Sequence, residues 1–158
     1  MRGKRTATGA ALVAGALAVT GLVFAPTAAA VTPQSAAINA TCGFFGGGTA
    51  TLTATQSGTS ATFTLTSSAV KAPVAVAKDS ITSKLTLVRA SGGTAVFSGT
   101  TNPAMNAGDP VSVGPLSGTV ASGDSLEAYG GSLQMTIFGV NVTCTATAKQ
   151  SPGPFVFD

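Results

Sequence analysis

Hydrophobic and polar residues alternate strictly in two neighbouring runs of the chain. In "TATLTATQ", Thr49 to Gln56, threonines take one side, while Ala50, Leu52 and Ala54 take the other. "ATFTLTS" repeats the pattern, with Ala61, Phe63 and Leu65 inward and Thr62, Thr64 and Thr66 outward. A period of two predicts strands with one face buried, and β-branched threonine suits the pleated, water-facing side. "SGT", Ser57 to Thr59, separates the two runs and predicts a tight hairpin.

Later segments repeat the signal less regularly. "VAVA", Val74 to Ala77, follows Pro73, which marks an edge or a strand start. "SITSKLTLVRA" places Ile81, Leu85 and Leu87 on one face, and "GGT" turns the chain into "AVFSG". "TTNPAMNAGDP" is loop by composition, and "VSVGPLSGTV" reads as one broken strand or two short ones. "SGDSLEAYGG" has capping-box spacing from Asp124 to Glu127, with room for one turn of helix before Gly130. In "SLQMTIFGVNVTCTATA", Leu133, Met135 and Ile137 share a face, then Phe138, Val140, Val142 and Cys144 continue on the opposite parity. That flip beside Gly139 predicts a bulge or a short turn. About seven to nine short strands, with turn signals every 8–12 residues, predict an all-β, immunoglobulin-like β-sandwich.

The N-terminus is of another kind. "MRGKR" is basic, "GAALVAGALAVTGLVF" is apolar throughout, and "APTAAA" ends in small residues. This order predicts a signal peptide over residues 1–30 with cleavage before Val31; its apolar run is shorter than the roughly 20 residues that span a bilayer. A flexible leader over 31–38, the sandwich over 39–150 and a tail over 151–158 complete the expected organisation. The destination is extracellular, or loosely associated with the cell wall.

Removing the leader changes the charge. The full chain carries +3, and Arg2, Lys4 and Arg5 supply the surplus. Lys71, Lys78, Lys84, Arg89 and Lys149 then balance Asp79, Asp109, Asp124, Glu127 and Asp158. A neutral domain with no basic stripe argues against nucleic acid as a partner. No second apolar run of spanning length follows, so no membrane association is expected after signal removal.

Cys42 sits in "ATCGFFGGGTATLTATQ". The glycines lead into a strand without lysine, unlike a phosphate-gripping loop, which opens a helix. Zinc needs about four ligands, and the chain holds two cysteines and no histidine. A nucleophilic thiol lacks its usual histidine partner. Cys42 and Cys144 are therefore expected to pair as a disulfide, tying the first strand to the last, with the glycine run as the turn between strands.

With "INATCGF" near the start and "FGVNVTCTATA" near the end of a Thr/Ala/Val-rich β-domain, the chain resembles small secreted two-cysteine β-domain proteins of actinobacteria, a group of unknown function. The resemblance implies export and an immunoglobulin-like fold, with no activity to carry over. More remotely the chain resembles the enediyne-binding apoproteins, secreted sandwiches that carry four cysteines in two short-range pairs where this chain has one long-range pair.

Catalytic signals are sparse. Ser68-x-x-Lys71 has the spacing of penicillin-recognising enzymes but falls between strands, where that spacing does not bring the two side chains together. Asp124 and Glu127 are the one carboxylate pair close in sequence, and Asp124 fits a turn cap better. Without histidine, acid–base chemistry has few groups to use. The sequons at Asn39 and Asn141 occur in a composition of bacterial character and are expected to stay unmodified. No enzyme activity, metal or cofactor is expected. Phe44 and Phe45 in the glycine turn, with Phe155 and Phe157 in the tail, form the candidate contact surface if they are not core plugs; cell wall, polysaccharide or a second copy are the expected partners. A small-molecule carrier with a pocket between sheets is the alternative, and a carboxylate-based hydrolase the remote one.

Overall fold

The computed structural model describes residues 31–158; the expected signal peptide lies outside them. Nine strands follow in order: β1 (Ser35–Thr41), β2 (Gly47–Ser57), β3 (Ser60–Lys71), β4 (Thr82–Arg89), β5 (Thr94–Thr100), β6 (Pro110–Thr119), β7 (Ser125–Ile137), β8 (Val140–Ala146) and β9 (Phe155–Val156). One 3-10 turn, Gly43–Phe45, links β1 to β2. The threonine alternation produces the expected hairpin: Ser57 faces Ser60, and the register runs through Leu52 opposite Leu65 to Ala50 opposite Ser67. Every second residue of β2, from Ala50 to Gln56, is buried.

The expected immunoglobulin-like sandwich does not form. β4 pairs antiparallel with β5 on one side and with β7 on the other. The order β4-β5-β6-β3-β2-β1-β8-β7 therefore returns to β4, giving a closed antiparallel barrel of eight strands with β9 outside it. Long strands that bend make closure possible. The β4–β7 register shifts between Thr86 and Val88, and the β3–β6 register between Phe63 and Leu65; such bulges sharpen twist and bend the sheet toward closure. At the first of them only glycine fits: a Cβ on Gly131 would collide with the Thr86 carbonyl oxygen.

Two expected boundaries also shift. Residues 31–38, expected as a flexible leader, contain the first four of the seven residues of β1, and Val31 and Ala36 are buried. The 151–158 tail is likewise part of the domain. β9 pairs with the start of β7 through Ser125–Val156 and Leu126–Phe155, and Thr32 bridges to Val156. Both segments hold apolar side chains that the barrel buries, so neither is left to solvent.

The interior is filled unevenly. Near the tail, Phe63 meets Phe97, Phe155 and Phe157 edge-on at centroid distances of 4.6, 5.2 and 6.2 Å. All four rings are fully buried, in the offset geometry that aromatic quadrupoles favour. The other half is lined by smaller residues. An eight-stranded barrel is just wide enough to be filled by side chains or to hold one small ligand, so the choice of residues decides which half is solid.

Candidate functional site at the disulfide end

The solid half ends at the β2–β3 turn and the chain terminus. The opposite end carries the β1–β2 turn, the β7–β8 turn and the long crossovers from β3 to β4 and from β5 to β6. Here Cys42 and Cys144 form the expected disulfide, 102 residues apart in sequence. It reinforces a short seam: β1 and β8 share only the pairs Ala40–Ala146 and Thr41–Thr145.

From Cys42 the chain reverses through the glycine run, with Gly43 at φ +61° and Gly46 at φ +88°, a left-handed backbone that glycine adopts freely. The turn lifts both phenylalanines off the barrel. Phe44 is 100% exposed and Phe45 52%, their rings perpendicular at 6.0 Å. The expected contact surface thus divides. Phe44 and Phe45 face solvent, whereas Phe155 and Phe157 are core residues at the far end and belong to no surface, because the tail strand turns them onto Phe63.

Inside this end lies a hollow of about 60 Å³. β1 contributes Ile38 and Ala40, β2 Ala50, β7 Ala128 and Leu133, and β8 Cys144. The lining is mostly carbon, and the small alanine and glycine positions leave the space that larger residues fill at the other end. No sequence signal marks it, because the lining comes from seven strands whose side chains meet only on closure. A pocket between two sheets was expected; with no sandwich there is no such space, and the hollow lies within the ring of strands instead.

The carboxylates do not converge on it. Asp124 accepts from the Ala121 amide at 2.9 Å and pairs with Arg89 at 3.3 Å, which anchors the β6–β7 turn in place of the expected helical cap. Glu127 accepts from the Gln150 and Ala128 amides at 3.0 and 3.1 Å. Sequence reasoning also missed Asn102, expected merely as loop: it is buried, accepts from the Ser80 and Ile81 amides and donates to the Ala77 and Pro103 carbonyls, all at 2.8 Å. It fastens the two crossovers at this end to each other.

Among the described residues no three metal-ligating side chains come together, and no helix is long and apolar enough to cross a membrane. Compared with family models, with curated proteins and with solved structures, the chain matches none.

Proposed function

We propose that the protein is a non-catalytic extracellular binding protein whose ligand places a slender apolar group in the hollow at the disulfide end. The observation that carries this is the carbon-lined hollow itself, inside a closed barrel and beside the disulfide. Its volume of about 60 Å³ is well under the roughly 150 Å³ of an apolar cavity that takes benzene. A methyl-terminated chain end fits that space and an aromatic ring does not, so the ligand class is an amphiphile whose polar head stays outside. The disulfide fits an oxidising compartment, and the two carboxylates nearest in sequence are occupied by structural hydrogen bonds, in keeping with binding rather than hydrolysis. The resemblance to secreted two-cysteine proteins points to the same compartment.

The test is NMR titration of the oxidised protein with decanoate labelled with ¹³C at its terminal methyl. Saturable shift of that methyl is expected, lost in Ala50→Leu, which adds three carbons to the lining. The variant's thermal stability separates a filled hollow from a damaged fold. Absence of saturable binding to the parent protein would sink the carrier function.

A second function is favoured by one observation, the full exposure of Phe44 beside Phe45: contact with cell wall or with another copy through the glycine turn. Co-sedimentation with isolated cell walls, with Phe44→Ala/Phe45→Ala alongside, decides it; pelleting that the double variant loses is the expected result, and a protein that stays in solution rules it out.

A further inference from the structure

A second concavity lies on the outside of the barrel, independent of the hollow. It is a groove of about 400 Å³ lined by three residues from each of β4, β7 and β8. The nine are in register: Thr82–Thr136–Asn141, Ser83–Met135–Val142 and Lys84–Gln134–Thr143 form three parallel rows across the strands. Ser83, Met135 and Val142 are buried, so the middle row points into the barrel. The six residues of the outer rows are exposed and supply the groove's functional groups. The saddle shape of a twisted sheet makes its face concave along one diagonal; β7 stays paired with β4 as far as Thr136, while β8 pairs with β1 only through its last residues.

The chemistry is selective. Two amides, three threonine hydroxyls and one ammonium line the groove, with no carboxylate, and Met135 and Val142 of the middle row form its apolar floor. Thr136 donates to Asn141 Oδ1 at 2.7 Å, which fixes that amide and leaves its NH₂ free to donate outward. Lys84 makes no ion pair among the described residues. The polar rows continue onto β5, where Thr82 faces Thr100 and Lys84 faces Ser98, so the lane is open-ended. Its volume falls within the range of about 300–1,000 Å³ typical of small-molecule sites, and three strands span roughly 10 Å.

Phe138 stands in the β7–β8 turn, two residues beyond Thr136 of the first row. It is 68% exposed and, with Gly139, forms a two-residue turn with both φ angles positive, +51° and +77°. Asn or Gly is the usual occupant of such a position. A bulky aromatic held there costs backbone strain and also leaves its ring in water. Strain of this kind, seen in a structure, points toward function.

We infer that this lane binds a polysaccharide chain. Amide and hydroxyl groups in rows match the vicinal hydroxyls of successive sugar rings, and Phe138 offers a face for the apolar side of a pyranose. A hydrocarbon would find polar groups along both outer rows, and a nucleic acid would find one cation.

The test is retention of the oxidised protein on cellulose, chitin, xylan and purified peptidoglycan. Retention on at least one is expected, falling about tenfold in Gln134→Ala/Asn141→Ala, as for the loss of one or two hydrogen bonds. Phe138→Gly is the discriminating variant: relief of the left-handed strain raises its Tm while retention falls, whereas a residue of purely structural value would not lose binding as stability rises. Failure to bind any of the four polymers, or retention lost through Phe44 and Phe45 but indifferent to Gln134, Asn141 and Phe138, would overturn the assignment. Decanoate binding reports on the hollow separately.

Discussion

Gln56 holds the last residue of the chain with both ends of its amide. Nε2 donates to the Asp158 carbonyl at 2.7 Å, and Oε1 accepts from the Asp158 amide at 3.2 Å. A buried glutamine at the end of β2 thereby locks the tail that carries Phe155 and Phe157 into the core.

Gln56→Ala leaves the Asp158 main chain without those partners. A loss of about 1–3 kcal/mol is expected, read as a lower denaturation midpoint with an unchanged m-value. Truncation after Pro154 removes two buried rings, each worth about 3–5 kcal/mol when truncated to alanine, and is expected to leave no cooperative transition.

Replacing both cysteines by alanine tests the covalent seam. The closed loop of about 100 residues corresponds to roughly 4–5 kcal/mol in the chain-entropy model. Hydrogen exchange of the oxidised and cysteine-free proteins is the measurement: Ala40, Thr41, Thr145 and Ala146, at the β1–β8 seam, are expected to lose protection before the β2–β3 hairpin does.

Asn102 predicts a cost without a cavity. Asn102→Ala deprives the Ser80 and buried Ile81 amides and two carbonyls of their partners, and a destabilisation of about 2–4 kcal/mol is expected. Asn102→Asp keeps the acceptor for Ser80 and Ile81 but loses the donor to Ala77 and Pro103. Thermal melts of the two variants should rank wild type above both.

Gly131→Ala would force a methyl group onto the Thr86 carbonyl oxygen. Because that contact is with backbone, relief requires the β4–β7 bulge to move, and a loss above about 2 kcal/mol is expected. Retained stability in a melt would show that the barrel's closing seam tolerates another geometry.

Legibility in the sequence followed distance along the chain. The threonine hairpin was readable because β2 and β3 are neighbours whose alternating faces need only a turn between them. The disulfide was readable because two cysteines have one way to pair. The phase flip at Phe138 announced a turn, though not that the ring would stay in water. Closure was not readable: Lys84 carries no local mark that Ser98 lies on one side of it and Gln134 on the other. A strand count common to sandwiches and barrels left that choice to the β4–β7 pairing. Phe155 and Phe157 were left open between contact surface and core plug for a related reason, since a proline-flanked tail looks dispensable until Thr32 and Gln56 are seen to hold it. The hollow depends on which half of the ring receives the large side chains, and no segment alone contains that information.

The double pairing of β4 has a consequence for how the chain matures. A ribosome delivers β4 and β5 well before β7, so the growing chain presents Thr82–Arg89 with one row of amides and carbonyls unanswered until residues 125–137 arrive. During that interval the nascent protein is a ribbon with a sticky border, open to another copy's strand. Once β7 arrives the border disappears, and the same segment becomes one of the least able to recruit a neighbour. The chain from Ser125 onward therefore acts as a built-in guard for the middle, and shortened products that stop before β7 are the form in which this protein would be prone to aggregate.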